Sequence, residues 1–463
     1  MTVRPNSPAA RDIATYLHPY TNLLKHEQEG PLIITRGNGV KVYDDAGKEY
    51  IEAMAGLWCA SLGFSEKRLA DAAYKQLQKL PYYHSFAHKQ HDVSIDLAEK
   101  LLSMAPVPMS KVFFANSGSE ANDTVVKMVW YFNNALGRHK KKKIISRLRG
   151  YHGVTVASAS LTGLPNNHRD FDLPIANIIH TDCPHHYRYG QPGESEEAFA
   201  TRMAENLEKL ILAEGPDTCA AFIAEPVMGA GGVITPPATY FEKIQKVIEK
   251  YDLLFIADEV ICGFGRTGNM FGSQTYALKP NMITLAKALT ASYLPMSAVM
   301  IDERVYDALK RNSDKIGVFA HGYTYSGHPV AAAVGLETLK IYEERNIIDH
   351  VRRIAPKMQQ GLRKFADHPL VGEVRGVGLV AAIELVKDKR TKDGFDPKKG
   401  VGSYLAKRCE AHGLIVRAMV DNIAFTPPLV ITEAEIDEML ARFGRALDDT
   451  AAMVDAEKLR SVA

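Results

Sequence analysis

The 463 residues predict an α/β protein built around a mainly parallel sheet, and three observations carry that prediction. Short apolar runs alternate with longer amphipathic stretches through the middle of the chain. The runs are apolar along most of their length, as strands covered by helices on both faces are. Each run also ends in polar residues able to do chemistry, and ligands of open α/β sheets sit at the carboxyl ends of strands.

Taken in order, GVKVYDDAGKEYIEA (39–53) reads as a hairpin turning at Asp45 to Gly47. The buried strands are KVFFANSG (111–118), KKIISRLRG (142–150), CAAFIAEPV (219–227), DLLFIADEV (252–260) and NMITLAK (281–287). Amphipathic stretches such as EEAFATRMAENLEKLILAEG (196–215) supply the covering helices. Near the end, GVGLVAAIELV (376–386) and the helical EAEIDEMLARFGRAL (433–447) look like an α+β lobe. The expected organisation is a large domain over 71–330 and a small one assembled from 1–70 and 331–463, with 387–400 as an exposed loop.

Composition excludes several function classes. A formal charge of +2 implies no polyanionic partner, and the basic run RHKKKK (138–143) reads as a solvated helix end, so no nucleic acid is expected. An uninterrupted apolar stretch of about 18 residues is missing, so no membrane association is expected. Five cysteines without a CxxC pair favour reduced thiols. The start of the chain has no apolar signal core, and a cytoplasmic location is the expectation.

The strand ends collect the chemistry. In NSGSEANDTVVKMVW, Ser117 and Glu120 stand at capping-box spacing, with Val125, Val129 and Phe132 recurring at helical intervals, so a helix begins at about Gly118. Its free N–H groups, with Gly118 and Ser119, would seat a phosphate, although a plain cap reads the same way. GFGRTG (263–268) matches a dinucleotide fingerprint by letter, but no long amphipathic helix follows and Ala288 stands where a ribose-binding acid belongs, so it reads as a glycine-rich loop. DLLFIADEV ends on two adjacent carboxylates, Asp258 and Glu259, and NMITLAK ends on Lys287. Such a Lys/Asp pair is ordinarily a salt bridge. An aldehyde cofactor, however, needs a lysine that can lose its proton, an acid beside a pyridine nitrogen and a phosphate anchor, and all three are present. No metal site is expected: His84, His88 and His91 fall in a loop-like segment, and Cys183, His185 and His186 have no fourth ligand nearby.

ANSGSEAND, RGYHG, AEPVMGAGG, IADEVICGFGRTG and TLAKALTASYLP, in this order, resemble class III aminotransferases, pyridoxal-phosphate enzymes of fold type I (aspartate-aminotransferase-like). The likeness runs from PYT (19–21) to FTPPL (425–429) and is greatest to the ω-transaminases, or amine:pyruvate transaminases. It implies pyridoxal 5′-phosphate as cofactor, with Lys287 as its covalent tether and Asp258 as partner of the ring nitrogen. Gly118 and Ser119 would take the phosphate, Tyr151 and Val260 the two ring faces with His152 beside Tyr151, and Glu225 the phenolic oxygen. Thr324, in GYTYSGHP, would reach the phosphate of a neighbouring subunit, making a homodimer or homotetramer with shared active sites. Tyr20, Trp58, Phe86 and Ala230 would line the substrate pocket, where Gly231 leaves room, and Arg417 would bind a keto-acid carboxylate. Many relatives carry Ser where this chain has Ala286. The implied reaction moves an amino group from a primary amine or ω-amino acid to a keto acid, pyruvate above all, by a ping-pong mechanism. The alternatives are a transaminase specific for β-alanine, 4-aminobutyrate or taurine, and then a class III decarboxylase or aminomutase.

Overall fold

The structure is a computed structural model that describes residues 4–460; the outermost three residues at each end of the expected small domain lie outside the described residues. Its centre is a seven-stranded sheet: β1 (Lys111–Ala115), β2 (Lys143–Arg147), β3 (Ile178–Thr181), β4 (Cys219–Ala224), β5 (Leu254–Asp258), β6 (Met282–Leu285) and β7 (Ser297–Ile301). The spatial order is β1-β7-β6-β5-β4-β2-β3. β7 runs antiparallel to both its neighbours, and the other pairings are parallel. The carboxyl ends of β1, β2, β4, β5 and β6 therefore share one rim.

Alternation along the strands explains why these runs are apolar throughout. Ala221, Ile223, Leu254 and Ile256 pack into one apolar cluster with helix α1 (Gly118–Ala135). Phe222, Ala224, Phe255 and Ala257 pack into the main core on the opposite face. Successive side chains of a strand point to opposite faces, so a strand buried on both has no polar phase. The same alternation decides the end of β5: Asp258 continues the face of Leu254 and Ile256 toward α1, and Glu259 is turned the other way.

The hairpin expected at Asp45 to Gly47 joins Lys41–Asp44 to Glu49–Glu52. Asp44 Oδ1 accepts from the N–H groups of Ala46 at 3.0 Å and Lys48 at 2.8 Å, and Gly47 takes φ +82°. Leu414–Ile415 pairs parallel with this hairpin at Ile51, joining the two chain ends in one sheet. Val371–Val377, Val380–Leu385, Asn422–Phe425 and Arg417–Met419 form a further antiparallel sheet. Helix Glu433–Ala456 starts at a capping box of Thr432 and Glu435.

GFGRTG is a loop, with Gly265 at φ +100° and Gly268 at φ +92°, followed by the short helix Gly272–Thr275. Its buried Arg266 donates to the carbonyls of Leu379 at 3.0 Å and Pro427 at 2.6 Å, tying the loop to the C-terminal part of the chain. The basic run differs from a solvated helix end. Lys141 is buried with Nζ on the Tyr251 carbonyl, Arg138 pairs with Asp252, and Lys143 opens β2 while holding Glu214.

Candidate active site

A cleft of about 350 Å³ opens at the carboxyl rim of the sheet. Gly118, Ser119, Tyr151, His152, Glu225, Asp258, Val260 and Lys287 all line it, joined by Asn116, Ser117, Asn122, Cys59 and Ser292. Sequence positions 57 to 296 meet there, chiefly because parallel strands deliver their ends to one edge.

The helix start is as the spacing predicts, with one difference. Ser117 Oγ accepts from the Glu120 N–H at 3.2 Å, but the Glu120 carboxylate reaches the backbone and side-chain nitrogens of Asn116, at 2.7 and 2.9 Å, rather than closing the box on Ser117. The first N–H groups of α1 stay free toward the cleft. At Gly118 an added Cβ would stand 3.1 Å from a Val260 methyl, a tight contact that Val260 would have to yield to. Gly153, at φ +136°, would place a Cβ 2.5 Å from the hydroxyls of Ser119 and Ser158, so the Tyr151–His152 loop can close on α1 only with glycine there.

Asp258 is 3 % exposed and firmly oriented. Its Oδ2 accepts from Asn122 Nδ2 at 2.8 Å and lies 2.8 Å from His152 Nδ1, and its Oδ1 accepts from the Val260 N–H at 3.1 Å. Asn122 also donates to the His152 carbonyl at 2.7 Å. His152 therefore works behind Asp258, buried, rather than on the open side of Tyr151. Glu259 takes no part: it accepts from Gly272 N–H at 2.9 Å, and from Ser273 N–H and Oγ at 2.5 and 2.6 Å, capping the helix beyond the loop. Burial pushes it up to about 7.

Lys287 is half-buried just past the end of β6, and desolvation lowers it from the ordinary lysine range against the opposing pull of Asp258. Its backbone lies at φ +47°, a left-handed conformation uncommon for a side-chain-bearing residue and typical of strained functional positions. Glu225 is buried, with Oε1 accepting from the Tyr151 N–H and Oε2 from the Gly229 N–H, both at 2.9 Å, and desolvation raises it. Tyr151 is raised by burial first and then by neighbouring Tyr20. Arg417, half-buried on Arg417–Met419, is lowered by burial and feels both tyrosines.

Other expected residues stand apart from this cleft. Trp58 is buried in an apolar cluster with Met54, Val227 and Ile261, behind the wall that Leu57 and Ile261 present. The Ala230–Gly231 turn is pinned by Arg149, whose guanidinium donates twice to the Gly231 carbonyl. Phe86 and Thr324 are exposed on a separate face, where the Phe86 ring lies against Gly322. Sequence reasoning missed Asn122, although an amide in a helical face otherwise made of Ala121, Val125, Val126 and Val129 signals a buried partner.

A lysine, an oriented acid and a helix N-terminus meeting at one rim suit the cradle expected of a fold type I pyridoxal-phosphate enzyme. The donor set suits such a ring: the Asp258 carboxylate, fixed by Asn122 and the Val260 N–H, lines one cleft with Lys287 and the start of α1. The class III aminotransferase family model matches residues 24–447, and the chain belongs to that family, whose cofactor is pyridoxal 5′-phosphate. It is 56% identical over 443 residues to gamma aminobutyrate transaminase 1, mitochondrial, of Solanum lycopersicum, covering 96% of this chain and 86% of that one. Among solved structures, the omega transaminase from Pseudomonas jessenii in complex with PMP is 59% identical with a TM-score of 0.96, covering 97% of this chain and 99% of that one. A PjTA-R6 omega transaminase variant, W58M/F86L/R417L, engineered for asymmetric synthesis of enantiopure bulky amines, is 59% identical with a TM-score of 0.95, covering 97% and 100%. The chain is an aminotransferase. Among the described residues no helix is long and apolar enough to cross a membrane.

Proposed function

We propose that this aminotransferase takes its amino group from an ω-amino acid, with 4-aminobutyrate the preferred donor, and passes it to pyruvate. This reverses the order expected from sequence, which put amines without a carboxylate first. The observation that carries it is Arg417, a half-buried guanidinium beside Tyr20 and Tyr151. A desolvated fork of this kind suits a carboxylate on donor or acceptor. The tomato relative's name supports the same reading. Apolar Leu57, Val260, Ile261 and Met296 give an aliphatic chain its wall. They also support a second reading, turnover of aryl and alkyl amines, which the PjTA-R6 variant's description favours.

When bound, pyridoxal 5′-phosphate supplies an aldehyde for covalent linkage to amines and a ring that withdraws electrons from the substrate α-carbon. The N–H groups at the start of α1, with Ser119, hold the phosphate by hydrogen bonding and the helix dipole. Asp258, fixed by Asn122, His152 and the Val260 N–H, holds a proton on the ring nitrogen. Lys287, lowered by burial, gives up its own proton readily and would serve as the tether and as the base and acid that moves the α-proton. Tyr151 closes one side of the site and Val260 the other. Two half-reactions then share these residues, one for donor and one for acceptor.

We further propose a homodimer in which Thr324 of the partner subunit completes the phosphate seat. Support comes from the exposure of Phe86, Val318 and Tyr325 on the face that also carries Thr324. Five free cysteines, four of them buried, support a reducing compartment such as the cytosol.

The test is kcat/KM for 4-aminobutyrate, β-alanine and 1-phenylethylamine with pyruvate as acceptor. Higher values for 4-aminobutyrate, with activity abolished in Lys287→Ala, are expected. Absent turnover of every ω-amino acid would overturn the reading in favour of the amine-specific one.

A further inference from the structure

Away from the cofactor cleft, three side chains of the N-terminal segment converge on one point. Helix Pro8–Thr15 carries Asp12, helix Leu23–Glu29 carries His26, and His18 stands in the connection between them. Both imidazoles aim Nε2 at one carboxylate: His18 lies 2.8 Å from Asp12 Oδ2 and 3.0 Å from Oδ1, and His26 lies 3.0 Å from Oδ2. The two rings are tilted by 38° with centroids 4.1 Å apart. The three ligand atoms lie within 4.8 Å of one another.

A second convergence, of His185, Glu373 and Glu384, shows what such a cluster looks like when the protein supplies its own cation. There Arg375 Nη1 stands 2.5 Å from Glu373 and 2.6 Å from Glu384, in the place an ion would take. At Asp12 the ion-pair partners among the described residues are the two histidines alone. Neither N-terminal helix has a buried residue. Helices of 8 and 7 residues are too short to persist in water by themselves, and the segment is held by few contacts, such as Lys407 to Glu29 and Asn167 to Tyr20, to which a cross-link would add.

We propose that Asp12, His18 and His26 bind a divalent cation of the zinc class, fastening the segment that presents Tyr20 to the substrate mouth. Two imidazoles and one carboxylate suit Zn²⁺ over the oxygen-seeking Ca²⁺ and Mg²⁺, and three protein ligands leave a fourth position for water. Each neutral imidazole would bind through the lone pair of Nε2, its single hydrogen residing on Nδ1. Tyr20 lies two residues past His18, in a left-handed turn at φ +51°, with its hydroxyl accepting from Asn167 Nδ2 and its ring beside Tyr151. Ordering the connection therefore orders one wall of the substrate pocket.

The experiment uses holoenzyme treated with chelator, desalted and titrated with zinc chloride alone. Retained zinc is measured by atomic emission after gel filtration, and tryptic cleavage after Arg11 and Lys25 is followed in parallel. One saturable zinc per chain and slowed cleavage at both bonds are expected in the wild type and in the surface control His139→Ala. Both effects should be lost in His18→Ala and in Asp12→Asn, with the cofactor absorbance of each variant unchanged as the check on folding. Zinc uptake that persists in either variant, or is missing from the wild type, overturns the site. Uptake without protection from cleavage overturns the fastening role. Neither readout depends on the identity of the amino donor, so failure here leaves the proposed reaction separately tested.

Discussion

Replacing Asn122 by alanine tests whether Asp258 works because it is held, or merely because it is there. One amide nitrogen donates to Asp258 Oδ2 at 2.8 Å and to the His152 carbonyl at 2.7 Å, all in the buried interior. Losing a hydrogen bond to a charged group costs about 1.5–3 kcal/mol, and orphaning a buried carbonyl costs about 1–3 kcal/mol. The two losses share one donor and do not simply add, so a total near ~3 kcal/mol of folding stability is expected. The share that acts through Asp258 should reappear in cofactor affinity as a roughly 10- to 100-fold rise in Kd. Asp258 would keep His152 Nδ1 and the Val260 N–H, which is why the loss is partial. Equilibrium dialysis of the apoenzyme against pyridoxal 5′-phosphate gives Kd, and urea unfolding of the same apoenzyme gives stability. A variant that loses stability but binds the cofactor as tightly as wild type would refute the reasoning, because Asn122 would then be a packing residue only.

Gly153→Ala should cost about 1–3 kcal/mol from backbone strain at φ +136° alone, and the added Cβ meets the Ser119 hydroxyl at 2.5 Å, so cofactor retention on gel filtration should fall sharply. Arg417→Ala should raise KM for pyruvate about tenfold or more while sparing KM for 1-phenylethylamine in initial-rate assays, since only the former brings a carboxylate. Burial pushes Glu52 up to about 8 from 4.5, so folding favours its protonated form. The stability it lends is complete below its unfolded value and is lost as pH rises to about 8, at up to ~1.4 kcal/mol per pH unit. Glu259, pushed up to about 7, acts in the same direction. Glu52→Gln should therefore flatten, without abolishing, the fall in guanidinium midpoint between about pH 5 and 8.

The chemistry-bearing half of the site was legible because it lies at the ends of strands whose burial is written in their composition. DLLFIADEV announces a strand covered on both faces and a pair of carboxylates, and alternation requires the two to diverge. Which of them faces the cofactor follows from the packing of Leu254 and Ile256 against α1, a fact of tertiary structure. Strand β7 and its reversal were not legible: SAVMI was not among the strands read from the sequence, and direction leaves no mark on composition. Asn122 shows the same limit in one residue. Its helical position was readable, but its partner lies 136 positions away on another strand.

The walls of the substrate pocket were least legible, and for a geometric reason. The cofactor cradle draws on the carboxyl ends of β1, β2, β4, β5 and β6, which one parallel sheet necessarily brings to one rim. Tyr20 and Arg417 come from opposite ends of the chain, and Phe86 and Thr324 face outward on another side. No periodicity relates such positions, so only packing, or a second copy of the chain, brings them together. Trp58 makes the point: the resemblance implied a pocket residue, and its side chain packs in an apolar cluster with Met54, Val227 and Ile261. Substrate choice in this scaffold therefore rests on how both chain ends pack against the cradle. A fastening at Asp12, His18 and His26 would act on the N-terminal end, leaving Lys287 and Asp258 untouched.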